Sequence, residues 1–97
     1  MKWAAVIEYI QDTTKIGEIR PVHREYLKSL LDTGKLVCAG PFLDDFGSLI
    51  VYEADTKEAA EAILQADPFH ANGIFVRWTI RPWKPVFANP QLLPPNG

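Results

Sequence analysis

Four short runs of strand-forming residues, held apart by two segments of helical periodicity, constrain this chain more than any other feature. The first run, Trp3-Ala4-Ala5-Val6-Ile7-Glu8-Tyr9, is almost continuously apolar, as expected of a central strand covered on both faces. Leu36-Val37-Cys38-Ala39-Gly40 forms a second, stopped by Gly40-Pro41. Asp44, Asp45 and Gly47 mark a turn into a third, Ser48 to Glu53. The fourth runs from Ile74 to Trp83. There Ile74, Val76, Trp78 and Ile80 should face one way and Phe75, Arg77, Thr79 and Arg81 the other.

Between the first two runs, Ile19, Val22, Tyr26, Leu27, Leu30 and Leu31 recur at helical spacing, and His23 sits inside the same stripe. Proline is tolerated only in a first helical turn, so the helix is expected to start between Gly17 and Pro21. Gly34 reads as the glycine just past its end. The second helix opens on a capping pattern, Asp55-Thr56-Lys57-Glu58, and carries Ala59, Ala60, Ala62, Ile63 and Leu64. Asp67-Pro68 closes it, because the residue before proline is biased away from helical geometry.

The resulting order, β-α-β-β-α-β, is an α+β, ferredoxin-like arrangement. Right-handed crossovers place strand three between strands one and two, and strand four on the other side of strand one. One end of such a sheet then collects the starts of helix one and strand three and the finishes of strand two and helix two. Arg20, His23, Phe42, Ser48, Asp67, Phe69 and His70 all fall at that end, as in a small-molecule pocket.

Within it, His23 and Asp67 are the candidate acid/base pair, the carboxylate orienting the imidazole. Arg20 is placed to hold a substrate oxygen and Ser48 to donate a hydrogen bond. Phe42, Phe69 and Tyr9 offer an apolar wall for a ring. Structural roles compete with each of these. A histidine on an apolar stripe is often just a satisfied core residue, Asp-Pro is a common turn starter, and His70 reads as a surface loop residue. Metal binding by His23, His70 and Asp67 lacks any ligand-spacing motif.

Composition removes several other classes. Ninety-seven residues make one domain. A net charge of -2 with scattered Lys and Arg argues against nucleic acid as partner. The single Cys38 excludes an internal disulfide and reads as a buried thiol. No apolar run approaches a membrane span, and Met1-Lys2 leads straight into a strand with no signal-peptide pattern, so a cytoplasmic location is expected. No nucleotide-binding glycine motif is present, and no cofactor is expected. Pro85, Pro90, Pro94 and Pro95 rule out a regular element in residues 85–97 and suggest a tail lying on a surface or on a partner subunit.

Several motifs together resemble the YCII (YciI-like) family over residues 1–84. They are Arg20-x-x-His23-x-x-Tyr26-Leu27, Gly34-Lys35-Leu36, Gly40-Pro41-Phe42, Ala59-Ala60, Asp67-Pro68-Phe69, Gly73 and Ile80-Arg81-Pro82-Trp83. The resemblance implies a ferredoxin-like subunit paired into a dimeric α+β barrel, with His23 and Asp67 at the family's active-site positions and Arg20 and Ser48 as weaker carry-overs. It also implies ring chemistry. One activity known in the family is dehydrochlorination of a chlorinated hydroxyhydroquinone to a quinone, in the breakdown of chloroaromatic compounds. A small-molecule lyase or isomerase acting as a homodimer is therefore the leading expectation. A non-catalytic metabolite-binding or partner module is the alternative. Pairing is also expected because strand four should expose Phe75 and Thr79 on the face away from the helices.

Overall fold

The computed structural model describes residues 1–95. In it the strand-forming runs become β1 (Lys2–Tyr9), β2 (Leu36–Pro41), β3 (Gly47–Glu53) and β4 (Phe75–Trp83). The helices are α1 (Thr13–Asp32), α2 (Lys57–Gln65) and a short α3 (Pro68–Ala71). The strands form one sheet in the order β2-β3-β1-β4, and every neighbouring pair is antiparallel. This is the ferredoxin-like α+β architecture expected from the element order.

The core lies between the sheet and its helices. Trp3, Ala5, Ile7 and Tyr9 project from one face of β1, beside Ile50 and Tyr52 of β3, and all are buried. Ile16 and Leu30 of α1, Ala60 and Leu64 of α2 and Phe69 of α3 close over them. On the opposite face of β1, Val6 and its neighbour Leu49 are left exposed by the described residues. The apolar run reads as two-sided burial, whereas the alternation of exposure along β1 shows one buried face.

Helix α1 starts well before the position expected from Pro21. Asp12 caps it, its carboxylate accepting the Lys15 N–H at 3.0 Å, and Pro21 lies in the interior. An interior proline costs about 3 kcal/mol. The cap contributes about 1 kcal/mol. Burying Ile16 adds about 2 kcal/mol, enough to offset the proline. Val22, assigned to the buried stripe, is instead exposed, and Ile16 takes its place. At the other end Gly34 adopts φ +77°, the left-handed conformation foreseen for it.

Two further local readings change. Thr56, not Asp55, caps α2, its hydroxyl accepting the Ala59 N–H at 3.1 Å. In β4 the pairing with β1 slips between Glu8 and Tyr9, so Phe75 rather than Val76 pairs with Tyr9. Phe75 is therefore buried in the core and Val76 exposed, against the strict alternation expected. Phe75 accordingly does not contribute to the open sheet face. The tail contains one 3₁₀ turn, Pro90–Leu92, where no regular element was expected; the Asn89 side chain accepts the Gln91 N–H at 3.1 Å.

Gly47 is sterically obligatory. A Cβ there would sit 2.5 Å from the Ile7 carbonyl oxygen, across the β1–β3 pair. Gly47→Ala should destabilise the chain by about 1–3 kcal/mol, because the clashing atom is backbone and cannot swing aside. Denaturant unfolding checks this, with a shift in midpoint at unchanged slope as the expected result.

Candidate active site

Asp67 stands where α2 has ended and α3 begins. The proline after it does stop α2, but it also starts α3, with Asp67 as N-cap and Pro68 in the first turn. One Asp67 oxygen accepts the Phe69 N–H at 2.8 Å. This cap holds the carboxylate rigidly, with no exposed surface, beneath the first half of α1.

From α1, His23 meets it. The imidazole Nδ1 lies 2.7 Å and 2.9 Å from the two carboxylate oxygens. A carboxylate only accepts, so Nδ1 carries the proton and donates. In the neutral form of the ring the lone pair is then on Nε2, which has no hydrogen-bond partner among the described residues. The ring is stacked on Phe69, with centroids 3.9 Å apart and planes 4° from parallel. Phe69 meets the Tyr9 ring edge-on at 5.3 Å. Hydrogen bonds and stacking together fix the plane and the tautomer of His23.

His23 borders a cavity of about 510 Å³ between α1 and the β2 side of the sheet. Tyr9, Arg20, Arg24, Ser48 and Phe69 also line it. Burial pushes the Tyr9 phenol above its ordinary value of 10.0. The Asp67 carboxylate adds to this, while the Ser48 hydroxyl, Arg20 and Arg24 oppose it. Tyr9 is therefore a proton-bearing donor throughout the physiological range. The Ser48 hydroxyl lies close enough to influence Tyr9, yet it is buried and makes no well-formed hydrogen bond among the described residues. A buried polar atom without a partner at a cavity wall is suited to a ligand oxygen.

Of the residues singled out from the sequence, His23, Asp67, Arg20, Ser48 and Phe69 come together. Phe42 does not join them. It is the first residue of the β2–β3 turn, exposed, with its ring against Gly47 and outside the cavity lining. His70 is half-buried against Trp78, at 5.5 Å between ring centroids, and does not approach the His23–Asp67 pair as a third ligand. Cys38, read as a buried thiol, is half-exposed in the cavity wall, and burial still raises its pKa. Tyr9, expected in the pocket wall, lines the cavity, while Arg24 and the tail residues Pro90, Leu93, Pro94 and Pro95 belong to the lining without having been singled out. Arg24 was legible, one helical turn after Arg20; the tail was not, since no local pattern says where an irregular segment returns.

Buried tyrosines also set an alkaline limit on the fold. Tyr52 is fully buried with an unpartnered hydroxyl, and desolvation raises its pKa far above 10.0, with the Asp67 charge adding to the effect. A group with a raised folded pKa binds its proton more tightly when folded. Its stability contribution is complete below pH 10.0, the unfolded value, and is lost as pH climbs towards the folded one. Thermal melts should therefore fall steeply above about pH 10, and Tyr52→Phe should flatten that fall.

Comparison with known proteins follows the same lines. The model of the YCII-related domain family matches residues 1–84. Protein YciI of Escherichia coli is 35% identical over 79 residues, covering 71% of this chain and 81% of that protein. The uncharacterized protein YjpA of Bacillus subtilis is 42% identical over 62 residues, covering 64% and 72% respectively. Among solved structures, the 5-chloro-2-hydroxyhydroquinone dehydrochlorinase of Burkholderia phenoliruptrix, in complex with 2,5-dihydroxybenzoquinone, has a TM-score of 0.75 at 23% identity. It covers 87% of this chain and 94% of that one, so the two share a fold. No helix among the described residues is long and apolar enough to cross a membrane.

Proposed function

The chain belongs to the YCII-related domain family, and from that premise we propose that it is a lyase acting on a hydroxylated aromatic ring, with His23 as the proton-transfer group and Asp67 as its orienter. The observation that carries this is the buried His23–Asp67 pair, bonded through Nδ1 at 2.7 Å, beside a cavity that His23, Tyr9 and Phe69 help to line. A histidine oriented by a buried carboxylate and bordering a pocket is equipped to take a hydroxyl proton.

The most concrete substrate is a chlorinated hydroxyhydroquinone, by analogy with the Burkholderia enzyme of the same fold. In that reaction His23 carries a proton from a ring hydroxyl to the chlorine-bearing carbon, giving the keto tautomer. Loss of a second hydroxyl proton drives its electron pair through the ring, and chloride leaves with the C–Cl bonding pair. The sum is loss of HCl and formation of a quinone, with no external oxidant. Arg20 and Arg24 would hold ionised ring oxygens, and Tyr9 and Ser48 would donate to the others. Two copies pairing through the exposed Val6 and Leu49 face, in a cytoplasmic homodimer, complete the proposal.

Chloride release from a 5-chloro-2-hydroxyhydroquinone substrate, with the quinone followed by its absorbance, tests the reading. Stoichiometric chloride and quinone are the expected result. Saturable binding without chloride would instead identify a metabolite-binding module.

A further inference from the structure

The cavity is far larger than one ring requires. At about 510 Å³ it falls in the range, roughly 300–1,000 Å³, of sites that enclose drug-sized ligands. It also runs past the polar residues. Leu31 lies two turns beyond His23, about 12 Å further along the axis of α1, yet lines the same cavity. Leu27 and Leu36 border it as well.

Part of the wall comes from outside the family domain. The family match ends at residue 84, but Pro90, Leu93, Pro94 and Pro95 line the cavity. All four tail side chains are apolar. Leu93 is still 55% exposed, so an apolar group in the cavity would take further surface out of water. At the other end Arg20 and Arg24 make no ion pair among the described residues, and Lys28, the next cation along α1, is already paired with Asp32 at 3.0 Å. The lining thus carries two arginines free of ion pairs on the His23 side of α1, against one carboxylate, Asp45.

From this we infer that the ligand is an oxyanionic ring bearing an apolar substituent: the ring oxygens lie between Arg20, Arg24 and His23, and the substituent lies in an arm formed by Leu27, Leu31, Leu36 and the C-terminal tail. The tail is the element that sets substituent length. The inference rests on the ring-binding reading above and adds a substrate class to it.

Calorimetric titration of the full chain with 2,5-dihydroxybenzoquinone and its 3-methyl, 3-propyl and 3-hexyl derivatives separates the two. Binding of the unsubstituted ring reports on the ring site; the change in Kd with chain length reports on the arm. The expected gain is roughly fourfold per added methylene. Leu93→Glu, with its fold checked by circular dichroism, should reduce that gain to near nothing by placing a charge in the arm. A series with no gain in the wild-type chain overturns the arm even where the unsubstituted ring binds. A gain that Leu93→Glu leaves intact overturns the role of the tail.

Discussion

Replacing His23 with alanine is expected to lower chloride release by about 10²- to 10⁴-fold, the usual contribution of a positioned acid/base group. The same change removes a ring stacked on Phe69 and leaves the Asp67 carboxylate buried without its side-chain hydrogen-bond donor. A stability loss of about 3–5 kcal/mol should accompany it. His23→Gln separates the two effects. Its amide can still donate to Asp67 but cannot act as a base, so turnover should fall as far as in the alanine variant while more of the stability is kept. Retained turnover in either variant would remove His23 from the chemistry. Steady-state rates and denaturant melts on the same preparations give both quantities.

Asp67 should show the complementary pattern. Its carboxylate holds the imidazole with both oxygens and caps α3 with one of them. Asp67→Ala removes both functions from a fully buried site and should cost about 3–5 kcal/mol. Asp67→Asn can keep the cap, because the amide oxygen still accepts the Phe69 N–H. Its NH₂ group then takes the place of the second oxygen, 2.9 Å from Nδ1, removes the negative charge and competes with the Nδ1–H donation that orients the ring. Turnover should therefore fall by about 10²-fold or more even though the α3 cap survives. Equal losses of stability in the two variants would show that the cap contributes little. Unchanged turnover in Asp67→Asn would contradict the orienting role.

The meeting of His23 and Asp67 was legible from order alone. Two residues 44 positions apart are brought to one end by the β-α-β-β-α-β path, and no local motif is needed to say so. Position within that end was less legible. Phe42 and Phe69 both fall there, but the pairing of Pro41 with Ser48 makes Phe42 a turn residue, whereas the Asp67 cap places Phe69 beneath the imidazole. A sequence shows that β2 stops near Pro41; it does not show which way the next side chain points. The start of α1 was hidden for another reason. The rule for Pro21 weighs a local cost, and the compensation comes from Ile16 packing in the core, which is a tertiary effect. The slip between Glu8 and Tyr9 is likewise invisible to a count of alternating residues, because it depends on the partner strand.

In the proposed reaction Asp67 would orient the imidazole, His23 would move the proton, Arg20 and Arg24 would hold charge, and Tyr9 and Ser48 would donate hydrogen bonds. The most direct test is a two-dimensional NMR titration of the labelled chain with 2,5-dihydroxybenzoquinone. Saturable shifts clustered at Tyr9, Arg20, His23, Ser48 and Phe69, abolished in His23→Gln, are the predicted result. Absent shifts, or shifts centred elsewhere on the sheet, would contradict the assignment of this cavity as the ring-binding site.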